Sequence, residues 1–88
     1  MPESANKSRL ISDIAWEINR NWTNVYFSAA PYLDAMKQLS SLSDMYYADT
    51  AESIVSYFLA NAAQWKGEKA RTIKAELKAM LKAYRARF

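Results

Sequence analysis

The scarcity of turn-forming residues is the feature that most restricts the fold of this chain. Its 88 residues include one glycine, Gly67, and two prolines. A sheet protein needs many tight turns, and no segment here alternates apolar and polar residues for long. The sequence therefore predicts an all-α protein, a small three- to four-helix bundle with a long basic amphipathic C-terminal helix. Because a chain of this length buries a single core, we expect one domain over residues 1–88, with residues 1–7 flexible.

Apolar residues at helical spacing predict three helices before the C-terminal one. The first begins near Ser8, a suitable cap, and the second near Pro31, because proline fits the first turn of a helix. Asp49 and Glu52 have the spacing of a capping box and predict the start of the third helix. Gly67 is predicted to end it in a left-handed conformation. The predicted inward-facing residues are Leu10, Ile11, Ile14, Ile18 and Trp22, then Leu33, Met36, Leu39 and Leu42, then Ile54, Val55, Phe58, Leu59, Ala62 and Trp65.

The fourth helix is predicted over residues 68–86, which are rich in strong helix formers. Its apolar stripe consists of Ile73, Leu77, Met80, Leu81, Tyr84 and Phe88, and the flank beside it consists of Arg71, Lys74, Lys78, Lys82 and Arg85. Residues 66–88 hold eight basic and two acidic side chains, a net charge of +6, whereas residues 1–65 hold four basic and seven acidic ones, a net charge of −3. This asymmetry predicts that the basic flank binds an anion or an acidic partner; a purely solvated face is the alternative.

Part of this region has features of a DNA-binding helix-turn-helix, "LANAAQWKGEKARTIKAELK", residues 59–78. Gly67, Ala63 and Ile73 occupy positions that the motif prefers. Three charged residues fall where the motif needs apolar side chains, namely Lys66, Glu68 and Glu76. We therefore favour an ordinary helix end at Gly67, and DNA reading by residues 59–78 is the alternative.

Aromatic residues make up 14% of the chain, which is more than a core of this size needs. The candidates for a protein-contact surface are Trp16, Tyr26, Tyr46, Tyr47 and Tyr57. The alternative is that these side chains pack within the long connections between helices. Because they cluster in the acidic part of the chain, the sequence favours protein contacts over stacking on nucleic-acid bases.

Catalytic chemistry has little support, because the chain lacks His and Cys as general base, nucleophile or soft metal ligand. Asp44, Asp49 and Glu52 lie near one another in sequence, but without the spacing of a calcium-binding loop. We expect no enzymatic activity, no metal and no cofactor. The polar start and the absence of an apolar run of about 20 residues predict no signal peptide and no membrane span, hence a cytoplasmic protein.

Two stretches, "NVYFSAAPYLDAM" and "YFLANAAQWKGEKARTIKAELKAML", carry a resemblance to known proteins. In them the chain resembles uncharacterised small helical proteins of bacteriophages and integrative mobile elements, over roughly residues 11–82. The resemblance implies an accessory protein that acts in the cytoplasm of a bacterial host. It carries over no functional residues, because no activity is established for that group.

Three functional hypotheses follow. The first is a non-enzymatic inhibitor that binds a host protein or protein–nucleic acid complex, such as a CRISPR-type defence nuclease. The second is a DNA- or RNA-binding protein that uses the basic C-terminal helix. The third is a self-assembling structural protein, for which a homodimer is one form, with copies packed through Ala75, Ala79, Ala83 and Ala86. None of the three involves a membrane.

Overall fold

Four helices and one two-stranded antiparallel ribbon make up the part of the chain that the computed structural model describes, residues 9–87. The elements are α1 (Ile11–Asn21), α2 (Ala30–Met36), β1 (Met45–Tyr46), β2 (Asp49–Thr50), α3 (Ala51–Ala60) and α4 (Glu68–Arg85). The predicted long C-terminal helix is confirmed as α4. Ser8, Phe88 and the segment 1–7, predicted to be flexible, lie outside the described residues.

The helices surround one apolar core. α1 and α3 each pack against both α2 and α4, so α2 and α4 lie on opposite sides of the domain. The core side chains include Ile11, Ile14 and Ile18 of α1, Leu33 and Met36 of α2, Ile54, Val55 and Phe58 of α3, and Ile73, Leu77, Met80 and Leu81 of α4. Within residues 9–87 no polar or charged residue is buried. Burial of these apolar stripes therefore holds the helices together.

Backbone groups from a distant loop cap the start of α1. The N–H of Ile11 donates to the carbonyl of Ser40 at 3.0 Å, and the N–H of Ser12 donates to that of Leu39 at 2.8 Å. These bonds satisfy donors that would otherwise lack a partner at a helix start. Leu10 precedes the helix in an extended conformation, and its side chain is exposed. The prediction that Leu10 faces the core is therefore wrong.

A short ribbon occupies the loop that precedes α3. The carboxylate of Asp44 accepts backbone hydrogen bonds from Ser40 and Ser41 and closes a tight turn. In the ribbon, Met45 lies opposite Thr50, and Tyr47 in the connecting turn has a φ of 56°. The prediction of a chain without strands is wrong here, because strands of two residues are too short to show an alternating pattern.

Thr50, not Asp49, caps α3. The side-chain oxygen of Thr50 accepts a hydrogen bond from the N–H of Ser53 at 3.1 Å, and the hydroxyl of Ser53 donates to the carbonyl of Thr50 at 3.0 Å. The predicted capping box of Asp49 and Glu52 is thus wrong by one residue. Asp49 lies opposite Tyr46 in the ribbon, and Thr50 is the residue that directly precedes α3.

The connection between α3 and α4 is seven residues long and partly buried. Within it, the indole ring of Trp65 is stacked on that of Trp22, with a centroid distance of 5.5 Å and an interplanar angle of 9°. The prediction that α3 continues to Gly67 is wrong, because α3 ends at Ala60 and Gly67 directly precedes α4. The connection is also longer than the three- or four-residue turn of a helix-turn-helix.

We predict that Gly67→Ala destabilises the domain although there is room for the added methyl group. Gly67 has φ 109° and ψ 176°, a backbone conformation that is essentially restricted to glycine. A Cβ atom at this position would meet no atom within 4 Å, so the strain would come from the backbone alone. The expected loss in the free energy of unfolding is about 1–3 kcal/mol. Urea denaturation would measure it, with Gln64→Ala in the same connection as the control; equal stability of both variants would contradict the prediction.

Candidate functional site

The five cations predicted to bind a partner fall into two groups, and the first is held by α3 and the connection after it. The ammonium group of Lys74 donates to the carbonyl oxygens of Ala62 at 2.9 Å and Trp65 at 2.7 Å. Burial, with the charges of Lys78 and Lys66 as smaller contributions, lowers the pKa of Lys74. Lys74 thus has a structural role, because it satisfies carbonyls that no helix hydrogen bond reaches.

Arg85 belongs to the same group. Its guanidinium group forms an ion pair with the carboxylate of Glu52 and donates a hydrogen bond to the hydroxyl of Ser56 at 2.8 Å. Both partners lie on α3, so Arg85 ties the last turn of α4 to its neighbour. Its pairing lowers its value as an anion-binding group.

The second group consists of Arg71, Lys78 and Lys82, which we call the outer basic row. All three side chains are exposed, and none forms an ion pair or hydrogen bond with the residues from 9 to 87. Around the axis of α4 they lie about 140–180° from Ile73, whereas Lys74 and Arg85 lie about 100–120° from it. The residues nearer the apolar stripe reach α3, and those farther round face solvent.

A four-residue ionic network holds the opposite side of α4 to α1. The guanidinium group of Arg9 forms two bonds with the carboxylate of Glu76, at 2.6 and 2.9 Å, and one with Glu17 at 2.7 Å. Lys69 reaches Glu17 at 3.2 Å. Hydrogen bonds from Arg9 and then Lys69 lower the pKa of Glu17. No local sequence signal indicates this network, because Arg9 and Glu76 are 67 positions apart.

Between these two sides, α4 presents an exposed face of cations and small residues. We call it the outer face of α4, and its members are Arg71, Thr72, Ala75, Lys78, Ala79, Lys82, Ala83 and Ala86. The carboxylates of α4 are Glu68, in the first turn where the helix dipole favours a negative charge, and Glu76, which pairs with Arg9. The alanines leave the surface flat, so large groups could approach the cations closely. Self-assembly through these alanines stays a prediction.

A second surface lies where α2 packs against α3. The hydroxyl of Ser28 donates to the side-chain oxygen of Asn61 at 2.9 Å, and the rings of Tyr32 and Tyr57 are 5.5 Å apart. These pairs show that the two helices run antiparallel along this contact. Phe27, whose ring lies 4.9 Å from that of Tyr26, extends the aromatic surface beyond the start of α2. We call Tyr26, Phe27, Tyr32 and Tyr57 the aromatic seam.

The seam contains two strongly exposed rings. Phe27 is 78% exposed and Tyr57 is 51% exposed, whereas Tyr26 and Tyr32 are partly buried against the core. The inner pair therefore supports the outer pair. Phe27 and Tyr32 were not among the predicted contact residues; the run "NVYF" was the sequence signal that could have indicated Phe27.

The remaining predicted contact residues lie elsewhere. Trp16 is on α1, where the ammonium group of Lys37 lies 4.5 Å from the centre of its ring. Tyr46 and Tyr47 pack edge to face in the ribbon, with centroids 4.7 Å apart. Tyr46 is half-buried against the core, and Tyr47 is 86% exposed. The five predicted aromatics thus divide among three places, and only Tyr26 and Tyr57 share the seam.

The carboxylates considered as metal ligands have other roles. Asp44 closes the turn at Ser40, Glu52 pairs with Arg85, and Asp49 belongs to the ribbon. Nowhere in residues 9–87 do three or more Asp or Glu side chains gather as a metal site would require. None of the helices in this range is long and apolar enough to span a bilayer.

Comparisons with protein-family models, with curated proteins and with solved structures gave no match to this chain. The resemblance to phage and mobile-element proteins therefore stays a prediction. Support for a function therefore comes from the geometry of two surfaces, the outer face of α4 and the aromatic seam.

We predict that two lysines of α4 differ in their effect on stability. Lys74→Met should lower the free energy of unfolding by about 1–3 kcal/mol, because it removes the donor to the partly buried carbonyl of Trp65 and one of two donors to that of Ala62. Lys78→Met removes the same charge from an exposed, unpaired position and should change stability by less than about 0.5 kcal/mol. Urea denaturation of both variants would measure the difference. Equal losses would show that the contacts of Lys74 do not stabilise the fold.

We also predict that the network around Glu17 makes the domain less stable in acid. The folded-state pKa of Glu17 lies below its ordinary value, so the stabilisation is complete above that ordinary value and is lost as the pH falls through the folded-state pKa. Glu17→Gln should cost roughly 1 kcal/mol at neutral pH and flatten the decline of stability between about pH 5 and 3. Thermal unfolding at several pH values would test this. The control is Asp49→Asn, since Asp49 has no ion pair with any residue from 9 to 87; the same flattening in both variants would contradict the role of Glu17.

Proposed function

We propose that this protein is a non-enzymatic accessory protein that binds a protein partner through the aromatic seam. The observation that carries the proposal is the exposure of Phe27 and Tyr57 next to a core that is already filled. Exposed aromatic side chains contribute little to folding. Buried in an interface, they supply a large share of the binding free energy.

The seam is also ordered before any partner arrives. Tyr32 contacts Tyr57, and Tyr26 contacts Phe27, while both inner rings pack against the core. Fixed rings lose less conformational entropy on binding than mobile ones. Ser28 and Asn61 add polar groups beside the rings, as in the polar rim of many interfaces.

Charge favours a protein over nucleic-acid bases as the partner of the seam. Base stacking needs cations beside the rings. Lys37, at the end of α2, is committed to Asp34 and to the ring of Trp16. The outer basic row lies on α4, on the opposite side of the domain from α2. In this proposal the row steers an acidic partner at long range and does not take part in the seam contact.

The resemblance to proteins of phages and mobile elements suggests the kind of partner. An accessory protein of that kind acts in the bacterial cytoplasm on a host protein or protein–nucleic acid complex. We therefore extend the proposal to inhibition of a host defence complex of the CRISPR nuclease type, by competition for one of its contact surfaces.

Affinity purification from a bacterial lysate, with and without nuclease, would test the proposal. We expect a specific protein to be retained after nuclease treatment. The double variant Phe27→Ser with Tyr57→Ser should lose it, because the seam then lacks its exposed rings. Tyr47→Ser is the matched control, since it removes an exposed ring outside the seam, and it should retain the partner.

Two outcomes would contradict the proposal. One is retention of the same partner by wild-type protein and by the seam variant when both have the same circular dichroism and melting temperature. The other is recovery of nucleic acid alone, with no protein that survives nuclease treatment.

A further inference from the structure

The outer basic row is a group of exposed cations on one face of α4 that have no partner among residues 9–87. Other basic side chains of the domain are matched to carboxylates, among them Arg9, Lys37, Lys69 and Arg85. No carboxylate of residues 9–87 pairs with Arg71, Lys78 or Lys82. Cations four residues apart repel each other by about 0.2–0.5 kcal/mol per pair, so the row lowers the stability of the free protein slightly.

We infer that the outer face of α4 binds the phosphate backbone of a nucleic-acid duplex without reading its sequence. Charge complementarity identifies the ligand as a polyanion. From Arg71 to Lys82 the row spans about 16 Å along the helix, at about 1.5 Å per residue. A duplex presents one phosphate per about 1.7 Å of its axis, so a duplex segment of the same length holds several times more phosphates than the row has cations.

The side chains between the cations select the backbone over the bases. Ala75, Ala79 and Ala83 have no donor or acceptor that reads a base edge. No aromatic side chain is exposed on this face, so it has no platform for stacking the bases of a single strand. The seven-residue connection before α4 also lacks the short turn that sets a recognition helix in a groove. Contact with the phosphate backbone is therefore the form of nucleic-acid binding that this face favours.

The same side chains disfavour an acidic protein as the ligand of this face. A stable protein interface is anchored by aromatic or large apolar side chains near its centre. Here the centre consists of alanines. Binding would be almost entirely electrostatic, which is characteristic of non-specific nucleic-acid binding.

The contact surface of this inference is separate from that of the proposed protein partner, because the row is on α4 and the seam joins α2 to α3. Lys74 and Arg85 are excluded from the phosphate contacts, since they are committed to α3 and the connection that follows it. The structure thus reduces the five predicted cations to three.

Fluorescence anisotropy with a labelled 20-base-pair duplex of arbitrary sequence would test the inference on the full chain. With three phosphate contacts, the logarithm of the association constant should fall with the logarithm of the salt concentration with a slope of about −2.7. The double variant Lys78→Gln with Lys82→Gln should reduce this slope to about −0.9. It should also weaken binding at low salt by about tenfold or more.

The matched control is Arg20→Gln with Arg87→Gln. This variant lowers the net charge by the same two units, and both of its residues are exposed cations outside the outer face. It should keep a slope near that of wild type. Both double variants should melt like wild type, because none of the four side chains has a partner among the described residues.

Three results would overturn the inference. One is the absence of duplex binding even at low salt. Another is an equal loss in the two double variants, which would assign binding to net charge and not to the outer face. The third is binding of polyglutamate, or of single-stranded DNA, more tightly than the duplex; this would assign the row to an acidic protein or to a single strand.

Discussion

Trp65, a residue outside any helix, links α4 to the core. Its ring is stacked on that of Trp22 at the end of α1, and its carbonyl oxygen accepts a hydrogen bond from Lys74. The side chain of Trp65 thus holds the connection against the core, and its carbonyl group holds the first half of α4 against the connection. Lys74 is directed towards the connection, whereas Lys78, about one turn further along α4, faces solvent.

The sequence predicted the parts of the fold that depend on long helical periodicity. α4 is about five turns long and its buried apolar residues recur from Ile73 to Leu81, so its limits and its buried face were both predictable. The end of α3 was not. Ala62 and Trp65 continue the helical spacing and are buried, yet they lie in the connection. The spacing of apolar residues indicates which residues face the core. A connection that folds back over the same core can show this spacing without being helical.

Structural details that depend on a single residue, or on partners far apart in the chain, could not be predicted from the sequence either. The choice of Thr50 over Asp49 as a cap follows from the ribbon, which is too short to leave a pattern. For the candidate site, composition identified the five cations but not which of them bind within the molecule. Position around the helix contained part of that information, since Lys74 and Arg85 border the apolar stripe. The partner of Arg85 is on another helix and was visible only in the structure.

Ionic contacts on both sides of α4 have a consequence for how this domain responds to salt. The Arg9 network on one side and the Arg85 pair on the other are near the surface, where dissolved ions screen charges beyond about 8–10 Å and weaken closer exposed pairs. The contacts between α2 and α3 include rings and a neutral hydrogen bond, which salt affects little. Rising ionic strength should therefore weaken the ionic contacts of α4 and leave the contacts between α2 and α3 nearly unchanged.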